Sequence, residues 1–177
     1  MENRNKQHLF LFGLILAILP YCCLCFFTFP VADDFVFSNQ FQESNFLEIL
    51  KNTYLGWNGR YSSNVFAYLN PIGFESYVGY KLASFFTILF LIGAIHFFLK
   101  QVFFHFNFQK KVIISLVFSL LFLHNMPILS EGIYWYTGSS IYSFGIAFVF
   151  FYAGGLLKYL RERRGVFCQL GLLLLLF

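Results

Sequence analysis

The chain has 177 residues, 59% of them hydrophobic and only 11% charged, with a formal charge of +4. Soluble domains carry about 25% charged residues, so this chain has too few charges to cover a globular surface, and lipid is its expected solvent. The excess of Lys and Arg does not point to nucleic acid, because these residues fall between apolar stretches, where the positive-inside rule accounts for them.

A polar start with Arg4 and Lys6 leads into an uncharged stretch, residues 9–29, long enough to cross a bilayer core of about 30 Å. No small-x-small cleavage site follows it, so a retained anchor is expected rather than a signal peptide. Pro20 is expected to kink this span. Residues 31–75 form a water-facing loop that opens on Asp33-Asp34 and carries Trp57-Asn58-Gly59-Arg60. Within it, residues 45–55 read as a surface helix. Phe46, Leu47, Leu50 and Tyr54 recur on one side, with Glu48, Lys51 and Asn52 opposite. Asn45 and Glu48 are spaced as a capping box. A short apolar piece, residues 61–69, ends at Asn70-Pro71-Ile72-Gly73.

Further spans are expected at residues 77–99, 112–129 and 133–157, and a fifth begins at 166–177. With the N-terminus in the cytoplasm, the inner side holds Arg4, Lys6, Lys100, Lys110, Lys111, Lys158, Arg161, Arg163 and Arg164. The outer side holds Lys51, Arg60 and Lys81, together with Asp33, Asp34, Glu43, Glu48, Glu75 and Glu131. The predicted fold is therefore an all-α polytopic membrane helix bundle. It forms a single transmembrane domain of about five spans with a cytoplasmic N-terminus, in the cell membrane. The last stretch is about half a crossing length, which leads us to expect the N-terminal part of a longer protein.

The four cysteines, Cys22, Cys23, Cys25 and Cys168, lie in apolar segments without zinc-ligand spacing. His96, His105 and His124 have no partner at ligand spacing. No P-loop, dinucleotide-binding glycine pattern, nucleophile elbow or zinc motif is present. Chemistry thus concentrates on the outer loops. A carboxylate at the outer end of a span can serve as a general base or hold a divalent metal, or Asp33-Asp34 can simply cap a helix. Adjacent residues point in different directions, so at most one of the two is expected to be the base. Arg60 can hold a phosphate bidentately, and Trp57 can stack on a sugar, or both can belong to the membrane interface. Glu131 and Trp135, in Glu131-Gly132-Ile133-Tyr134-Trp135-Tyr136-Thr137-Gly138, share that outer face. Ser139, Ser143 and Ala147 form a small-residue stripe of the kind that packs helices.

Ala32-Asp33-Asp34-Phe35, the Trp57–Arg60 loop and the Glu131–Gly138 turn together resemble a group of uncharacterised bacterial multi-pass membrane proteins. Those proteins are in turn similar to GT-C-type glycosyltransferases. The resemblance covers most of the chain through short motifs. It implies a polyprenyl-phosphate sugar donor, no cofactor other than a divalent metal that Asp33 or Asp34 can bind, and action on the non-cytoplasmic face of a bacterial plasma membrane in cell-envelope glycan or glycolipid modification. It also implies a catalytic role for Asp33 or Asp34, a donor-phosphate contact for Arg60, and a sugar or acceptor site at Glu131 and Trp135. GT-C enzymes have many more spans than residues 1–177 hold and often a soluble C-terminal domain, so this stretch is not expected to be an active enzyme alone. The competing class is non-catalytic: a transporter, flippase subunit or assembly partner. Such proteins place charges along a mid-membrane path, and mid-span charges are nearly absent here. A polysaccharide polymerase would share the outer-face site with a different donor.

Overall fold

The computed structural model describes residues 2–162. The stretch expected to begin a fifth span, residues 166–177, lies outside the described residues, as do Arg163, Arg164 and Cys168. Every regular element among the described residues is helical.

Helix α1 (Glu2–Leu24) contains Pro20 and runs into a 3₁₀ turn at Cys25–Phe27. Four short elements follow: α2 (Asp33–Glu43), α3 (Phe46–Gly56), α4 (Tyr61–Tyr68) and a 3₁₀ turn at Pro71–Phe74. Asparagines start three of the helical segments. Asn45 accepts the Leu47 N–H, Asn70 the Ile72 N–H and Asn107 the Lys110 N–H, each satisfying a donor the helix leaves open. The capping bond at α3 comes from Asn45, as its spacing predicts. At α2 neither aspartate is the cap: Ala32 holds that position, and Asp33 and Asp34 both lie in the first turn, where the helix dipole favours negative charge.

Helix α5 (Tyr77–Val102) is uninterrupted, as expected for residues 77–99. The span expected at 112–129 is a shorter helix, α6 (Phe108–His124), which begins earlier and stops at Asn125. The span expected at 133–157 is built in pieces: a π-helical turn at Ser130–Tyr134, then α7 (Tyr136–Ile141) and α8 (Ser143–Glu162). Three stretches are long and apolar enough to cross a membrane, Asn5–Phe27, Tyr77–Val102 and Tyr136–Glu162. Their side chains fit that solvent, since Leu9, Phe10 and Phe12 on α1 and Val149 on α8 are exposed.

The chain divides into two compact units. Among the described residues, one comprises 2–23, 89–127 and 146–162. Its buried residues include Leu91, Ala94, Ile95, Leu99, Leu123 and Ala147, and around them Phe90 meets Phe148 and Phe151, Phe97 meets Phe151, and Phe150 is met by Phe98, Phe118 and Phe122. These edge and tilted contacts suit ring quadrupoles. His96 bonds Ser115, and Arg161 bonds Gln101 through its carbonyl and its side chain.

The second unit comprises residues 24–88 and 128–145. Phe37 of α2, Ile49 of α3, and Ala67 and Tyr68 of α4 form its first cluster, with Phe41, Phe46 and Leu50 packed against them. The apolar stripe anticipated on residues 45–55 is therefore divided. Phe46 and Leu50 turn toward this core, whereas Leu47 and Tyr54 stay exposed. Tyr68 donates to Gln40 Oε1 (2.9 Å), which leaves Thr53 to donate to the Tyr68 hydroxyl (2.7 Å). Ile72, Tyr80 and Tyr136 form a second cluster.

Gly154 sets a close helix approach in the phenylalanine-rich unit, since a Cβ there would lie 2.7 Å from the Phe97 ring and 3.0 Å from the Phe98 backbone. Gly154→Val is expected to destabilise the protein by about 1–3 kcal/mol. Gly145→Ala, where a Cβ meets nothing within 4 Å, is expected to leave the thermal midpoint unchanged or raised, as scanning calorimetry of both variants would report.

Candidate functional site

Asp34 is fully buried, and its carboxylate accepts five hydrogen bonds. Oδ1 takes the Asn70 amide (3.0 Å), the Thr137 N–H (3.1 Å) and the Thr137 hydroxyl (2.7 Å). Oδ2 takes the Tyr80 hydroxyl (2.6 Å) and the Val31 N–H (3.0 Å). All five groups donate, which is the complement an acceptor-only carboxylate needs. The network continues outward: the Tyr80 hydroxyl accepts the Tyr136 N–H (3.2 Å), and the Tyr136 hydroxyl reaches the carbonyls of Phe66 and Leu69. One side chain thus holds together the entry to α2, the Asn70 turn, the start of α5 and the start of α7.

Asp33 is exposed and takes a different direction from its neighbour. It lines a pocket of about 200 Å³ together with Trp57, Arg60, Trp135 and Tyr142. Asp33 and Arg60 have no ion-pair or hydrogen-bond partner for their side chains among the described residues. The Arg60 loop is fixed by Asn58, whose Oδ1 accepts the Arg60 N–H (3.1 Å) and the Asn64 amide (3.0 Å). This is the local turn that Asn forms readily. Trp57 closes α3 and lies 6.0 Å from the Phe37 ring.

Trp135 is held by its indole N–H on the Val31 carbonyl (3.3 Å) and by its backbone N–H on the Ser130 carbonyl (2.8 Å). Gly138 makes this turn possible, because a Cβ there would lie 2.3 Å from the Glu131 carbonyl oxygen. Trp135 also lines a second, mainly apolar pocket of about 560 Å³ with Leu24, Phe27, Phe29, Tyr134 and Glu131.

Asp33, Trp57, Arg60 and Trp135, drawn from separate segments, meet at one pocket. Glu131 lines the adjoining apolar one, and Asp34 lies in the interior behind both. Asn70, Tyr80 and Thr137, which hold Asp34, are not singled out by sequence reasoning. A polar side chain at the edge of an apolar span is the available signal for Tyr80, and Thr137 falls inside the Glu131–Gly138 motif. His96 forms its hydrogen bond within the other unit. With five donors on Asp34, its oxygens have no lone pair left for a metal. Among the described residues no three His, Cys, Asp or Glu side chains are grouped to hold one.

The pocket offers a carboxylate able to take a proton, a guanidinium able to hold an anionic oxygen pair, and aromatic faces able to flank a ring. Composition and the helices of the described residues, three of them long and apolar enough to cross a membrane, define a multi-pass helical membrane protein. Comparison with protein-family models, with curated proteins and with solved structures found no match to this chain.

Asp34→Ala is expected to lower stability by about 3 kcal/mol or more, because it strands buried donors on Asn70, Tyr80 and Thr137. Asp33→Ala is expected to leave the unfolding midpoint unchanged. Thermal melts of both variants in the same lipid preparation test this difference.

Proposed function

We propose that this protein is a membrane glycosyltransferase, or the part of one, that uses a lipid-linked sugar of the polyprenyl-phosphate type at a site on the non-cytoplasmic face. The observation that supports this most is the convergence of Asp33, Arg60, Trp57 and Trp135 on one pocket. In this reading Asp33 accepts the proton of an acceptor hydroxyl as its oxygen bonds to the sugar's anomeric carbon. The bond from that carbon to the donor phosphate breaks, and Arg60 holds the departing phosphate. Trp57 and Trp135 flank the sugar ring, and Glu131 faces the donor or acceptor beyond Trp135. Asp34 takes no proton in this scheme; it holds the backbone that presents Asp33.

The reading carries a topology: a cytoplasmic N-terminus, about five crossings, and a place in a bacterial plasma membrane. The Lys and Arg asymmetry of the connecting segments supports the orientation. The absence of charge from most of α5, between Lys81 and Lys100, argues against a translocation path along that helix.

Asp33→Asn is expected to reduce sugar transfer by about 10²–10⁴-fold, the usual contribution of a general base, with membrane insertion retained. Transfer of radiolabelled sugar from polyprenyl-phosphate donors in isolated membranes reads this directly, and normal transfer by Asp33→Asn sinks the proposal. In a cysteine-free background, Lys51→Cys is expected to react with a membrane-impermeant maleimide in intact cells. Lys110→Cys is expected to react only after lysis, and the opposite pattern would invert the topology.

A further inference from the structure

A third pocket of about 400 Å³ lies among α2, α3 and α4, lined by Gln40, Ser44, Asn52, Thr53, Trp57 and Tyr68, with Ile49 at its base. Its chemistry differs from the neighbouring one. No Lys, Arg, Asp or Glu lines it, so nothing there would select a phosphate, a carboxylate or a cation. What it offers is amides and hydroxyls. The Gln40 Nε2 group, the Ser44 hydroxyl and the whole Asn52 amide have no hydrogen-bond partner among the described residues. Gln40 is nevertheless held in place. Thr53, 8% exposed, and Tyr68, 1% exposed, form a buried hydroxyl chain that ends on its Oε1. Gln40, Ser44 and Asn52 are exposed, and an amide held through one atom, with its donor atom left over, is preorganised for a ligand that displaces its water. Trp57, 69% exposed, forms one wall.

We propose that this pocket is a subsite for an uncharged saccharide. Sugar hydroxyls both donate and accept, and so do Gln and Asn amides and Ser hydroxyls. The apolar face of a pyranose covers an aromatic ring that would otherwise stay wet. Trp57 also lines the pocket of Asp33 and Arg60, so a saccharide in the neutral subsite abuts the charged one across a single ring. Resting on the glycosyltransferase reading, this assigns the acceptor class: a neutral glycan whose terminal hydroxyl reaches Asp33 while its preceding residue occupies the amide-lined pocket.

The chain contains two tryptophans, so Trp135→Phe leaves Trp57 as the sole indole reporter. The protein would be held in lipid nanodiscs, free of maltoside detergent. It would be titrated with linear oligosaccharides of α-glucose, β-glucose, N-acetylglucosamine and mannose while Trp57 emission is followed. At least one is expected to give a saturable change. The joint Gln40→Ala and Asn52→Ala variant is expected to weaken it about tenfold or more, as the loss of two hydrogen bonds requires. Glu75→Gln, at an exposed position that lines none of these pockets, is expected to leave it unaltered. No saturable response to any of the four overturns the proposal, as does a response that survives the double variant or disappears with Glu75→Gln. If Trp135→Phe does not fold, calorimetric titration of the chain with both tryptophans present, against the Gln40/Asn52 variant, distinguishes the same outcomes. Saccharide binding together with transfer indifferent to Asp33→Asn would keep the subsite and remove the enzyme. Transfer that depends on Asp33 without saccharide binding would do the reverse.

Discussion

A buried carboxylate is tolerated only when its lone pairs are filled, because desolvation of an ion in a low-dielectric interior costs several kcal/mol. Asp34 meets that condition with donors from four separate positions, Val31, Asn70, Tyr80 and Thr137. The same requirement reaches further. Tyr80 must be placed to donate, so its oxygen accepts from the Tyr136 backbone, and Tyr136 in turn reaches the end of α4. Loops that contribute little apolar area are thereby held to a definite geometry by polar contacts buried together.

This arrangement separates two adjacent carboxylates by role. Successive helical residues diverge by about 100° around the axis, so fixing Asp34 inward turns Asp33 toward the pocket. The aromatic residues divide space in a similar way. Trp57 is a wall of both the charged and the amide-lined pocket, and Trp135 of both the charged and the apolar one. Three environments, one apolar, one charged and one neutral but hydrogen-bonding, adjoin in sequence. Their contrast follows from which side chains flank each indole.

The long helices were legible because length and apolarity alone report them, and α5 follows its pattern closely. The outer turn at Ser130-Glu131-Gly132 was legible, but the inward turn of Thr137 and the break between α7 and α8 were not, since their cause is tertiary. Gly138 admits the Glu131 carbonyl, and Thr137 turns inward to Asp34, so the stretch that crosses begins at Tyr136 and is made of two helices. Asn45 was readable as a cap from position alone. The inward turn of Phe46 and Leu50 was not, because the cluster they join needs Phe37 and Tyr68 from other helices. The acidic pair announced itself, and the difference between its members did not. That difference depends on Thr137, which lies 103 residues away.

The separation in sequence bears on how the protein is made. Asp34 emerges early, yet its Thr137 donors arrive only after about a hundred further residues have been synthesised. During that interval the carboxylate cannot be fully enclosed, so α2, α3 and α4 can form and pack through Phe37, Ile49 and Tyr68 while the Asp34 end of α2 stays open. Completion of this unit is therefore tied to the late insertion of the segment around Trp135 and Thr137. Closing such a long loop is intrinsically slow, and a chain released before that point would leave Asp34 without its two Thr137 donors, its end of α2 open to water and to neighbouring chains.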